Sequence, residues 1–282
     1  MAIVINGSGT VTGLSVGGLP DGTVDADTLA SGAGGVDGVS SSADATAIKI
    51  DSSERVAIGN TDAGNYYSSA DNLVVYDATD HVGITIASGG SDKINSIYFA
   101  DGTSGTAEYE GSIEYQHSTN TMLIGTNHAT VLSIDSTGAV TMPKQPAFLA
   151  KLAGNMNNIA NSTWTTIEAS TEIFDQNSDY NTSTYTFTAP VTGKYQFNAM
   201  VRMENVDNNT DFQYVVFSTD NRVYYGLQSW RQTADVPQTH HQLAILADMD
   251  ANDTCRVRVY IANGHQASDI ADTSIWSGHL VC

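Results

Sequence analysis

Basic residues are scarce in this 282-residue chain: 11 lysines and arginines stand against 31 aspartates and glutamates, for a formal charge of −20. So acidic a chain repels phosphate, and no basic stripe offsets it, which excludes nucleic acid as an expected partner. Cysteine is scarce too. Cys255 and Cys282 are the only two, too few for a disulfide framework and without metal-site spacing. No run approaches the roughly 18 consecutive apolar residues of a membrane span, so membrane insertion is not expected. The first residues, Met-Ala-Ile-Val-Ile-Asn-Gly, lack the basic and apolar regions of a secretory signal. Charged residues make up only 15% of the chain and hydrophobic ones 41%, a balance that argues against wholesale disorder. The length allows about two domains.

What is present is unevenly spread. Residues 1–45 are dominated by Gly, Ser, Asp, Ala and Thr, with Leu14, Leu19 and Leu29 as isolated apolar points. Alone, such a segment buries too little apolar surface to offset its ordering entropy. It is expected to order by docking on something else.

Residues 46–142 carry short runs rich in Val, Ile and Tyr, each closed by Gly, Asn, Asp or Ser, which is a strand-and-turn pattern. Strands are expected at 47–50, 55–58, 73–76, 82–86, 94–99, 112–115, 122–124, 131–134 and 139–142. Ile-Asp-Ser followed by Val recurs, at 50–52 with Val56 and at 134–136 with Val140. An ordinary strand–turn–strand accounts for it equally well. Strands this short and poor in aromatics give one chain a thin core. Association of identical chains would bury their apolar faces, so this part reads as an oligomeric shaft.

Met-Pro-Lys-Gln-Pro at 142–146 reads as a semi-rigid hinge. Past it lie all three Trp (164, 230 and 276) and seven of the eleven basic residues. Alternation is strong there. Tyr195, Phe197, Ala199, Val201 and Met203 oppose Lys194, Gln196, Asn198, Arg202 and Glu204; Cys255, Val257, Val259 and Ile261 oppose Arg256, Arg258 and Tyr260. A period of two with one polar face marks antiparallel sheets over a core. The expectation for 143–282 is a two-sheet sandwich or jelly roll, with no helix.

The run Phe-Thr-Ala-Pro-Val-Thr-Gly-Lys-Tyr-Gln-Phe at 187–197 and the closing Ile-Trp-Ser-Gly-His-Leu-Val-Cys at 275–282 resemble motifs of the C1q/TNF-like jelly-roll family. Asn252-Asp253 departs from the Gly-Asp common there. The resemblance implies a trimeric knob whose last strand lies beside its first, with Phe187, Tyr195 and Phe197 on the aromatic strands of core and trimer. The front, Ile-Asn-Gly-Ser-Gly-Thr-Val-Thr-Gly-Leu at 5–14 and Val-Asp-Ala-Asp-Thr-Leu at 24–29, is similar to N-termini of bacteriophage fibre proteins, marine ones especially. Arg-Val-Ala-Ile-Gly-Asn at 55–60 resembles their shafts. By that resemblance Ile5, Leu14, Leu19 and Leu29 would anchor the chain to the virion.

Catalytic motifs are missing: there is no Gly-x-Ser-x-Gly, no P-loop and no His-Glu-x-x-His. Glu108, Glu110 and Glu114 supply carboxylates of the kind glycan hydrolysis requires, with Glu108 and Glu110 expected on one strand face. A solvated acidic face explains them as well. Asp248, Asp250 and Asp253 offer alternate oxygens, as a Ca²⁺ loop does, but without its Gly and distal Glu. A polar turn accounts for the same run. Trp230, Arg231, Gln232 and His240, in the loop between two expected strands, combine residue types that concentrate binding energy and could hold a sugar ring. Trp230 would serve equally as a cap on the core or the trimer.

The combined expectation is an all-β, non-enzymatic virion fibre made in a bacterial cytoplasm. Residues 1–45 would attach to tail, neck or capsid proteins, 46–142 would form a homotrimeric shaft, and 143–282 a knob contacting a host-surface glycan or protein. No cofactor is expected, Ca²⁺ aside. A capsid or neck decoration fibre, a secreted C1q-like lectin or adhesin, and a glycan depolymerase remain as alternatives.

Overall fold

The computed structural model describes residues 4–5, 11–12, 48–59, 62–228, 233–263 and 268–282. Among them the regular structure is β, with two 3-10 turns and no α-helix. The chain divides into two compact units, Met1–Thr85 and Ile86–Cys282.

In the first unit, β1 (Val4–Ile5) pairs antiparallel with β2 (Val11–Thr12). Ile5 thus lies in a strand, whereas Leu14, Leu19 and Leu29 lie outside the described residues. β3 (Ile48–Ile50) runs antiparallel to β4 (Val56–Ile58), which runs parallel to β5 (Leu73–Val75). Among the described residues its core is Ala57, Ala63 and Val74. Beside it Arg55 forms a polar clamp. Its guanidinium contacts Asp51 at 2.7 Å and the buried Asp71 at 2.8 Å. The arginine's hydrogen bonds hold the Asp51 carboxyl below its ordinary range.

The recurrent Ile-Asp-Ser is one turn made twice. Asp51 N donates to Arg55 O (3.1 Å) and Glu54 N to Asp51 O (3.0 Å); Asp135 N donates to Ala139 O and Gly138 N to Asp135 O, both at 3.0 Å. Each aspartate also caps the turn, accepting from Ser53 N or Thr137 N at 2.8 Å. The strands re-pair as Ile50 with Val56 and Ile134 with Val140.

The second unit opens with a five-stranded antiparallel meander: β6 (Ile94–Phe99), β7 (Gly111–Gln116), β8 (Thr121–Thr126), β9 (Ala129–Ile134) and β10 (Val140–Thr141). The strand expected at 82–86 is absent. Val82, Ile84 and Ile86 have no ladder partner, and all three are exposed. Glu108 sits in a 3-10 turn, Gly105–Glu108, and not on a strand face with Glu110. Register fixes the faces of this sheet. Ile97, Ile113, Ile124 and Leu132 lie in one cross-strand row, and Tyr115, Met122, Ile134 and Val140 in the next row of the same face. The opposite face carries Ser96, Glu114, Gln116 and Ser133, with Ile94, Tyr98 and Leu123 among them.

Beyond Pro146 the chain builds a sandwich. Its strands are β11 (Ala147–Lys151), β12 (Thr165–Thr166), β13 (Thr171–Asp175), β14 (Tyr180–Asn181), β15 (Thr186–Thr188), β16 (Gly193–Val206), β17 (Thr210–Thr219), β18 (Val223–Gln228), β19 (Val236–Met249), β20 (Thr254–Asn263), β21 (Asp269–Ile270) and β22 (Ile275–Leu280). One sheet runs β13-β11-β22-β16-β19, with β21 on β16; the other runs β14-β15-β20-β17-β18, with β12 on β20. The last strand therefore lies between the first and β16. Inward positions alternate along most of β16 and β20, and Trp276, Tyr195, Phe148, Phe187, Phe197 and Phe217 are the largest wholly buried side chains. Phe148 stacks on Tyr180 at 4.9 Å and on Phe187 at 5.1 Å and meets Trp276 edge-on at 4.7 Å, geometries that aromatic quadrupoles favour.

Candidate functional site

Phe187, Tyr195 and Phe197 are each 0% exposed. They are core residues of one chain and are closed to a partner. Tyr195 donates its hydroxyl to Val191 O at 2.7 Å. Trp230, Arg231 and Gln232 lie outside the described residues. His240 is exposed on β19 opposite Arg202, while the adjacent His241 points inward.

Two of the three aspartates expected to gather at a metal, Asp248 and Asp253, have other partners. Asp248 is paired with Lys194, whose hydrogen bond holds its carboxyl below the ordinary range. Asp253 Oδ2 accepts from Asp250 N (3.0 Å) and Asn221 Nδ2 (3.1 Å), closing the turn between β19 and β20. Among the described residues no group of three or more His, Cys, Asp or Glu is placed to hold a metal. Glu110, for its part, meets His128 Nδ1 at 3.5 Å. The thiols of Cys255 and Cys282 are unbonded, the first buried and pushed up by desolvation, the second exposed.

A different constellation forms on the outward face of the β20-β17-β18 sheet. The alternation that sends Val215, Phe217, Val257 and Val259 into the core sends Phe212, Tyr214, Val216, Arg256, Arg258 and Tyr260 outward. Tyr225 on β18 stands beside Val216, and Tyr214 beside Tyr260. Trp164, immediately before β12, reaches over the same face. Its ring lies 5.1 Å from Tyr260, 6.0 Å from Tyr214 and 6.3 Å from Tyr225. Tyr214 and Tyr225 meet edge-on at 5.5 Å. Arg258 sits above Trp164, its Cζ 5.4 Å from the ring centroid, a cation–π contact that fixes the guanidinium.

These aromatics remain open to solvent: Tyr225 is 59% exposed, and Trp164, Tyr214 and Tyr260 are half-buried. Neither Arg256 nor Arg258 has a carboxylate partner among the described residues. Alternation alone puts Arg256, Arg258 and Tyr260 on one face; strand pairing brings Trp164, Tyr214 and Tyr225 to them. The alternate aromatics of Phe-Gln-Tyr at 212–214 were the available signal.

Residues 147–281 match the family model of the C1q domain. No curated protein matches the chain. Among solved structures, the globular domain of zebrafish complement 1qA is similar at 13% identity and a TM-score of 0.36, over 49% of this chain and 98% of that one. Murine APRIL is similar at 13% and 0.36, over 49% and 100%, and the Eiger TNF of S. frugiperda at 12% and 0.37, over 49% and 92%. The family match and the two-sheet topology together make the C-terminal domain a C1q/TNF-like jelly roll.

Proposed function

We propose that this protein is a homotrimeric structural fibre of a bacteriophage virion, attached through its N-terminal residues and contacting the host surface with its C1q/TNF-like domain. The observation that carries the reading is the five-stranded sheet β6–β10. It is a single layer, and from Tyr76 to Gln145 its only buried residue is Gly125. Phe99, Ile97, Ile113, Ile124 and Val140 share one face and are 58%, 48%, 39%, 37% and 58% exposed in one chain. A sheet face this apolar marks a surface that a partner covers, and copies of the same chain are the partner that a C1q-like domain brings. The outward face of β16 and β19 adds Met200 and Leu246, also exposed.

Association would give the particle about three times the −20 charge of one chain, which favours solubility and opposes further self-association. Three host-contacting domains on one shaft would raise weak contacts by avidity. The reading needs no catalytic group. Size-exclusion chromatography with light scattering should give three times 29.8 kDa, and a stable monomer overturns the proposal. Labelling of virions with an antibody to this chain, with the purified protein as a competitor of adsorption, tests the virion and host parts.

A further inference from the structure

The outward face of the β20-β17-β18 sheet is the place where two rare residue classes meet. Basic residues number 11 in the chain, and two of them, Arg256 and Arg258, stand on this face without a carboxylate. Beside them Trp164, Tyr214, Tyr225 and Tyr260 expose tilted ring faces. The hydroxyls of the three tyrosines make no hydrogen bond among the described residues, so each is free to donate or accept.

We infer that this face is a binding platform for an acidic saccharide, a chain of sugar rings bearing carboxylates. Three properties of the patch match that ligand. Apolar faces of pyranose rings stack on exposed aromatic rings, and four such rings within 6.3 Å of Trp164 or of one another accommodate more than one sugar. The tyrosine hydroxyls suit sugar hydroxyls. The arginine forks suit carboxylates, which they bind in bidentate fashion. Charge complementarity selects the acidic form: a chain of −20 repels anions everywhere except where unpaired cations concentrate. The contact with Trp164 holds the Arg258 guanidinium before a ligand arrives, so less conformational entropy is lost on binding. The inference rests on the reading of the C1q/TNF-like domain as the host-contacting part.

The test uses the full chain at low ionic strength, titrated with oligogalacturonate, oligoalginate and oligosialic acid, and with maltooligosaccharide as the uncharged control. Calorimetry and tryptophan fluorescence report binding. At least one acidic oligomer should bind, more weakly as salt rises, and the uncharged one should not. Arg258→Gln should weaken binding ~10-fold, as expected for one charge-assisted bidentate contact. Tyr225→Ser, at a position 59% exposed, should weaken it with the melting temperature unchanged. Failure of all three acidic oligomers to bind, or equal binding of the uncharged one, overturns the inference. So does a change of molecular mass in Tyr225→Ser, which would make the face an interface between copies. A trimer that binds no oligomer removes this inference alone; a monomer that binds removes the fibre reading alone.

Discussion

The ring of His241 places Nε2 2.7 Å from Oε1 of Gln213, inside the sandwich between β19 and β17. Thr239 donates to the same oxygen at 3.1 Å. Burial, aided by the neighbouring His240, pushes the His241 pKa down to about 4. An unfolded histidine titrates near 6.5. Between those values the unfolded chain holds one more proton than the folded one, so stability is full above about pH 6.5 and falls as the pH drops towards 4. The difference corresponds to about 3 kcal/mol from this group. Thermal melts across that window should show the loss, and His241→Gln should flatten it. An unchanged slope in the variant would mean that other groups set the acid limit.

The paired turns give a second prediction. Gly138 has φ +88° with nothing near its absent side chain, while Glu54, at the equivalent position, has φ 63°. A left-handed backbone costs a side-chain-bearing residue about 1 kcal/mol. Gly138→Ala should therefore destabilise its unit by about 1 kcal/mol through backbone strain alone, and Glu54→Gly should not destabilise the first unit. Denaturant titration of each variant measures both. A stabilising Gly138→Ala would show that the turn relaxes.

Period-two alternation was enough to place most of the sandwich. The inward Tyr195, Phe197, Val201 and Met203 and the inward Cys255, Val257, Val259 and Ile261 are buried as the pattern requires, because a half-buried strand writes its faces into every second residue. Val82, Ile84 and Ile86 carry the same pattern and form no strand, since a strand also needs a neighbour to receive its backbone groups, and sequence spacing does not supply one. The aromatic face was hidden for a related reason. Trp164 and Tyr260 are far apart in the chain, and only the β12–β20 pairing, with Thr165 opposite Val259, brings them together. Asp248 looked like a ligand because Lys194, its partner, is reached through the β16–β19 ladder.

Gly278 is a spatial requirement of the core. On β22 it stands between Phe148 on one neighbouring strand and Phe197 on the other. A Cβ there would run into the Phe197 ring and lie 2.8 Å from Phe148 Cε1. Both rings are buried and stacked among other aromatics, so they have no room to withdraw. Gly278→Ala should cost about 1–3 kcal/mol as an overpacked core position, and Gly278→Val should fail to fold. Chemical denaturation of the alanine variant against wild type decides this, with near-UV circular dichroism reporting the aromatic packing. A neutral alanine variant would show that the rings shift freely.

Ile113 separates a solvent-facing sheet from an associated one. It sits at the centre of the apolar row between Ile97 and Ile124, yet is 39% exposed in one chain. If the face stayed in water, Ile113→Asp would be a surface change within about 0.5 kcal/mol. If copies cover it, each chain loses the burial of an isoleucine, about 1.5–3 kcal/mol, and places a carboxylate in an apolar interface. Because association is linked to folding, the wild-type melting temperature should then rise with protein concentration. Ile113→Asp should lower the mass seen by light scattering on dilution, while Glu114→Gln, on the opposite face, should leave it unchanged. Equal masses for both variants and wild type at every dilution would show that this face is not where the chains meet.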